Sequence, residues 1–266
     1  VRSWLKDSGY PLEMRTAAAF RAAGLETEVS RYYVAEDGET LREIDVVAEG
    51  VARTSASSGH PWLQVVFVVE CKASRAQPWV AFVGDQRFTR DEDALSTMRI
   101  DAFGPQDLDE ATGVVRSRVD VSMVRGLHHA PLLYCTDRLA YGVTETGGTG
   151  GGKQQSQANA YNAVRQVTSA VDGYARDSAD KTGRPVLRVT VPIVVTSAPL
   201  VTCRLDGRGS EVLEEVERVL LVARLRPAAS LSGVWIVRDS SLDRLAADAR
   251  QGLERLSLDT SCRSTT

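Results

Sequence analysis

The chain has 266 residues, 43% of them hydrophobic and 25% charged, a composition that suits a globular protein with core enough for one large domain or two small ones. A formal charge of −3 excludes a generally basic nucleic-acid coat, although 32 Lys and Arg leave room for a local basic groove. Four widely spaced cysteines form no metal-ligand spacing, and no apolar run approaches the roughly 18 residues of a membrane span, so a cytoplasmic protein with no membrane partner is the expectation.

Residues 11–23 (PLEMRTAAAFRAA) predict a helix, with Pro11 at its start, Gly24 just past its end, and Leu12, Ala19, Phe20 and Ala23 able to share a face. LETEVSRYYVAED and LREIDVVAEGVART predict two strands joined by a turn at Asp37-Gly38. After a Ser/Gly loop over 54–61, residues 63–73 predict a third, buried strand. Residues 75–146 show no clean period, but WVAFVGD and PLLYCTDRLAYGVTET read as strands within them. A glycine-rich connector, GGTGGGK, leads into a helix at about 154–176.

Further on, VLRVTVPIVVTS is a β-branched run interrupted by Pro192, which predicts an edge strand or a bulge. PLVTCRLDGRGSEV reads as a hairpin turning at Asp206-Gly207. EVLEEVERVLLVARL fits a helix by its valine spacing and a strand by its later Val/Leu run, and stays open. SGVWIVRD predicts a strand, SSLDRLAADARQGLERL an amphipathic helix with a serine cap, and 257–266 a disordered tail. Strands interleaved with helices, without a regular βαβ rhythm, predict a mixed-sheet α/β or α+β fold.

The chemistry concentrates in VVFVVECKAS, residues 65–74. Alternation along a strand turns Glu70 and Lys72 to one side and Cys71 to the other. An acid and a base two residues apart can simply pair. The preceding strand, however, carries Asp45 between Ile44 and Val46, and a carboxylate among apolar residues is costly unless paired or bound to a metal. Asp45 and Glu70 on neighbouring strands could hold a hard divalent cation through oxygen, with Lys72 beside them to orient water or offset phosphate charge. Glu13, in the first helix, is a fourth candidate.

In order and spacing, Glu13, Asp45 and Glu70-Cys71-Lys72 resemble the pattern of the PD-(D/E)XK nuclease superfamily: an acid in the first helix, an Asp on the second strand and (D/E)-x-K on the third. REIDVVAE followed by VVECKAS looks most like its Mrr-like and Holliday-junction-resolvase-like branches. The resemblance implies a restriction-endonuclease-like αβββαβ core, over about 10–75 and 154–200, within a single domain spanning 1–256. Residues 76–150 would be an insertion and 200–256 an extension bearing further strands and a helix. It also implies an Mg²⁺- or Mn²⁺-dependent endonuclease cutting DNA, with Asp45, Glu70 and the Cys71 carbonyl on the metal, Lys72 assisting the attacking water and Glu13 supporting the set. Gln157 and Tyr161 are similar to a Q-x-x-x-Y motif that lies near nucleic acid in RecB-like members. Defence against foreign DNA and DNA repair are the roles the resemblance brings with it. A homodimer or partner protein could deliver a chain of mild negative charge to nucleic acid.

Other signals carry less. Gly147, Gly152 and Lys153 fit a phosphate loop, but Gln154 stands where a Ser or Thr should meet Mg²⁺, and a flexible linker is the simpler account. His128 and His129, read on a strand, would point to opposite faces. Glu43 is an auxiliary acid or a solvated neighbour, Trp79 a core residue, and Ser74 and Gln77 could line the cleft. Two alternatives stand beside the DNA nuclease: a nuclease directed at RNA, and a non-catalytic nucleic-acid-binding or scaffold protein.

Overall fold

The computed structural model describes residues 8–35, 39–52, 62–73, 77–103, 106–109, 114–117, 121–146, 158–177, 185–225 and 231–258. Helix α1 (Tyr10–Ala22) starts beside Gly9 with Pro11 in its first turn. It closes in a Schellman motif, with the Gly24 N–H donating to Arg21 O at 2.9 Å and the Leu25 N–H to Phe20 O at 3.1 Å. Gly24 adopts φ +82°, a conformation in which a Cβ would be strained. β1 (Glu26–Val34), β2 (Leu41–Ala52) and β3 (Trp62–Lys72) follow as an antiparallel meander. The Asp37-Gly38 turn lies outside the described residues, while the Ala35 N–H reaches Thr40 O at 2.8 Å across its base.

Next come β4 (Trp79–Val83), α2 (Asp91–Leu95), β5 (Arg99–Phe103), β6 (Gln106–Asp109), β7 (Val114–Ser117), β8 (Val124–Arg125) and β9 (Ala140–Glu145). The chain continues through α3 (Ala158–Asp177), β10 (Val186–Thr196), β11 (Leu200–Leu205), β12 (Glu211–Glu215), β13 (Arg218–Ala223), β14 (Ser232–Arg238), α4 (Leu242–Arg255) and β15 (Ser257–Leu258). Among the described residues, eleven strands form one mixed sheet, ordered β1-β2-β3-β10-β14-β13-β9-β4-β11-β12, with β5 pairing β10 off this path. The segment expected as an insertion therefore contributes β4, β5 and β9 to the main sheet.

The two faces of the sheet carry separate cores. On one, Leu12 and Phe20 of α1 and Leu245 and Leu253 of α4 pack with Phe67, Val69 and Ile193. The Phe20 and Phe67 rings stack with centroids 5.9 Å apart. On the other, Ala163, Val164 and Val167 of α3 pack with Val66, Val68 and Val194. Each fully buried side chain of this size stabilises by about 1.5–3 kcal/mol. Close approach of α3 depends on Gly173, where a Cβ would lie 1.9 Å from the Tyr33 ring.

Several sequence expectations are corrected. β10 is an interior strand, buried along its whole length, not an edge. It pairs with β3 over 186–196, while on its other side β5 covers 186–190 and β14 covers 193–196. Pro192 falls in the gap between those two neighbours, where a missing N–H removes no ladder bond. The segment 211–225 resolves into β12 and β13 because a bend at 216–217 interrupts the strand, after which the chain keeps its direction and changes partner from β11 to β14 and β9. Of PLLYCTDRLAYGVTET only the second half is strand, since Leu132 takes φ +66° in a turn. His128 and His129 sit in a 3₁₀ turn with ring centroids 3.9 Å apart, so strand alternation does not govern them. Ser241 precedes α4 without capping it: the Ser240 and Ser241 hydroxyls both donate to Glu217 Oε2 at 2.6 Å. Ser257 and Leu258, placed in the expected tail, pair with β8.

Candidate functional site

The β2–β3 ladder runs from Ala52↔Leu63 to Val46↔Val69 and stops there. One step further along the same register, Asp45 stands across from Glu70. Directly opposed residues of an antiparallel pair have Cβ atoms about 4.5–5.5 Å apart. At this point β2 loses its alternation. Ile44 packs under α3 and Val46 under α1, although residues two apart on a regular strand share a face. The β1–β2 ladder skips the same position, pairing Val29 with Val46 and Arg31 with Ile44, and the skipped Ser30 adopts φ +56°. A left-handed serine costs on the order of 1 kcal/mol, which the surrounding ladder must hold in place.

The strand irregularity accompanies a hydrogen bond at the fork: Asp45 Oδ2 accepts the Cys71 backbone N–H at 2.6 Å. Lys72 Nζ lies 2.6 Å from Glu70 Oε1. Glu70 is buried, with 8% of its surface exposed, so the pair is held in a low-dielectric setting. The Cys71 side chain points the other way, its thiol 3.7 Å from Thr16 Oγ1 of α1, and burial pushes that thiol well above its ordinary range. Cys71 thus offers backbone atoms to the site and no reactive sulfur.

Charge is in excess here. Burial first, then repulsion from Asp45, raises Glu70 to about 7 despite the attraction of Lys72. Glu13, on α1, is raised to about 7 by burial and by the Asp45 and Glu43 carboxylates. Burial also raises Asp45, with Glu43 adding to it, while the Cys71 N–H and Lys72 pull it down. Among the described residues, four acids therefore act on one another around the Lys72 ammonium. Among the described residues, Asp45 Oδ1 and Glu70 Oε2 accept no hydrogen bond. Two such carboxylates and the Cys71 carbonyl make an oxygen-only donor set suited to Mg²⁺ or Mn²⁺, which keep waters in their remaining positions. No group of three or more His, Cys, Asp or Glu among the described residues is arranged to hold a metal ion, so the set is a two-acid one. The fit rests on donor chemistry and on the mutual repulsion that a cation would relieve.

Glu13, Asp45, Glu70 and Lys72, marked in the sequence, are therefore brought together, and exposed Glu43 joins them electrostatically. Gln157 lies outside the described residues, as do Ser74 and the phosphate-loop-like 147–153. Tyr161 is 46% exposed in the first turn of α3, and among the described residues no hydrogen bond links it to the acids. Gln77 accepts a hydrogen bond from Thr146 Oγ1 at 3.3 Å, and Trp79 is fully buried.

Sequence reasoning missed a second group beside Lys72. The Ser197 N–H donates to Lys72 O at 3.0 Å, Ser197 Oγ donates to Asp239 Oδ2 at 2.9 Å, and Arg15 Nη2 reaches the same oxygen at 3.3 Å. β3, β10 and β14 are parallel, so their carboxyl ends lie side by side, where open α/β sheets bind ligands. The one available signal was a polar residue directly following each apolar strand. A cavity of about 450 Å³, lined in part by Glu49, Trp62, Gln64 and Arg188, opens at the opposite end of β3. Comparison with known proteins adds nothing: no family model matches, and no curated protein or solved structure matches the chain.

Proposed function

We propose that this chain is a metal-dependent nuclease of the PD-(D/E)XK kind that hydrolyses phosphodiester bonds in DNA. The observation that carries the reading is the fork itself: Asp45 and Glu70 opposed on neighbouring strands, with Lys72 on Glu70 and Glu13 close enough to feel Asp45. The order α1-β1-β2-β3-α3-β10 supports it, with α1 and α3 on opposite faces and β10 parallel to β3. A restriction-endonuclease-like core would need these elements in this order, with α2 and β4–β9 inserted between β3 and α3.

In this reading Asp45, Glu70 and the Cys71 carbonyl hold Mg²⁺ or Mn²⁺. When bound, the cation supplies Lewis-acid polarisation of the phosphate and lowers the pKa of water. Lys72 orients the attacking water, and its ammonium offsets negative charge developing on the phosphoryl oxygens. Glu13, brought close enough for Asp45 to act on its carboxyl, would support the metal shell or orient a metal-bound water. The buried Cys71–Thr16 contact ties α1 to the end of β3, so Glu13 and Lys72 keep their relative positions.

The test is a cleavage assay on plasmid, linear and branched DNA, with a matched RNA, in Mg²⁺ and in Mn²⁺. The expected result is divalent-dependent cleavage of DNA that Lys72→Ala reduces at least about a hundredfold. Equal rates for parent and variant would refute the assignment of Lys72. Preferential cleavage of RNA would replace the substrate, and no cleavage of any substrate would favour the scaffold alternative.

A further inference from the structure

We propose that Arg15 is a phosphate-binding residue of this site, held by Asp239, which Ser197 in turn holds, to grip the phosphate next to the scissile one. This rests on the nuclease reading and extends it to substrate binding. An acidic site needs a cation for a polyanionic substrate besides any metal, and Lys72 already lies 2.6 Å from Glu70. Arg15 is the cation on the other flank. Leu12, Thr16, Ala17 and Phe20 turn the buried stripe of α1 to the sheet, and Arg15 projects beside that stripe with 49% of its side chain exposed.

Three contacts fix where Arg15 stands. Its Nη2 meets Asp239 Oδ2, that oxygen also accepts Ser197 Oγ, and the Ser197 N–H is bonded to the carbonyl of Lys72. Asp239 follows β14, Ser197 follows β10 and Lys72 ends β3, three adjacent parallel strands whose registers align Lys72, Thr196 and Arg238. Neighbouring strands lie about 4.8 Å apart, so Asp239 stands about 10 Å from Lys72 across the sheet. In this proposal Arg15, one strand-pair away from Lys72, takes a phosphate other than the one at the acids. A guanidinium has five N–H donors in a planar fork; Arg15 commits one to Asp239, and among the described residues the others have no partner. A fork braced at one arm and open at the other suits bidentate phosphate recognition.

The test uses the full chain and its Arg15→Ala, Arg15→Lys and Asp239→Asn variants. A labelled DNA duplex is bound in Ca²⁺, with the salt dependence followed by anisotropy, and cleavage kinetics are measured in Mn²⁺. Arg15→Ala should raise KM about tenfold, with kcat within about threefold, and lower the salt slope of binding by about one. Arg15→Lys should recover part of the affinity, and Asp239→Asn should give a smaller loss than Arg15→Ala. An unchanged KM and salt slope in Arg15→Ala would overturn the proposal, as would a loss confined to kcat. If the parent binds DNA without cutting it, the nuclease reading falls, and the salt slope alone decides Arg15. A parent that neither binds nor cuts DNA overturns both.

Discussion

At the amino end of β3, Glu49 accepts hydrogen bonds from Gln64 Nε2 at 2.9 Å and from Tyr174 Oη at 3.0 Å, and Gln64 Oε1 accepts one from Arg188 Nε at 2.8 Å. The Arg188 guanidinium lies over the Phe103 ring at 4.6 Å. At the carboxyl end of the same strand, six residues or about 20 Å from Gln64, Asp45 and Glu70 face each other with Glu13 and Glu43 nearby and a single lysine among them. Both clusters draw a carboxylate from β2 and a polar residue from β3. In the first, neutral donors satisfy the acid and a buried arginine satisfies Gln64, and the cluster ties α3 to the sheet. In the second, like charges raise one another, and among the described residues two carboxyl oxygens accept no hydrogen bond. Balanced hydrogen bonding suits a structural polar cluster, and uncompensated charge held in place by an irregular strand is what the proposed function calls for.

Substitution should therefore separate activity from stability between the two ends. The largest effect is expected for Asp45→Asn: it removes a donor carboxylate, and divalent-dependent cleavage should fall at least about a hundredfold while the circular dichroism spectrum stays that of the parent. Glu49→Ala should do the opposite. It strips partners from Gln64 and Tyr174, costing about 2 kcal/mol in urea unfolding and leaving kcat within about twofold of the parent. A Glu49→Ala protein that is fully stable but inactive would break the comparison.

The acid excess has a pH signature. In the folded protein Glu13 and Glu70 are each raised to about 7 from an ordinary 4.5. The folded state thus binds protons more tightly than the unfolded one. The stability these two groups contribute is greatest below about 4.5, declines as pH rises, and is lost above about 7. Urea unfolding at pH 5 and pH 8 should show a loss of about 2 kcal/mol on that account, narrowed in Glu70→Gln. An identical pH dependence in parent and variant would remove the argument from charge crowding at Glu70.

The sequence made one of these ends legible and left the other dark. Val66, Val68, Glu70 and Lys72 share a face by simple alternation, which exposed the E-x-K arm. Asp45 stood out as a lone carboxylate between Ile44 and Val46. Helix α1 could be read from Pro11 and Gly24, and the β11–β12 hairpin from Asp206-Gly207, although the turn is closed by Asp206 Oδ1 on the N–H groups of Arg208 and Ser210 with Gly209 at φ +82°. The turnover of β2 at Asp45 was not readable, because it depends on Ser30 of another strand. Pro192 misled for the same kind of reason, since its tolerance is set by where β5 ends and β14 begins. Arg15, Ser197 and Asp239 come from α1 and the ends of β10 and β14. Their meeting is a consequence of sheet order, and no local pattern encodes it. The Glu49–Gln64–Arg188 cluster was equally silent, being three ordinary polar residues until the strands align.

The claim that the fork is built for a cation is tested most directly by calorimetric titration of Mn²⁺ into the parent and into Asp45→Asn at pH 8, where the acids of the parent are ionised. The account predicts saturable binding to the parent that Asp45→Asn abolishes and that weakens in the parent at pH 6, where Glu13 and Glu70 take up protons. No binding to the parent with a DNA duplex present, or equal binding to parent and variant, would contradict it.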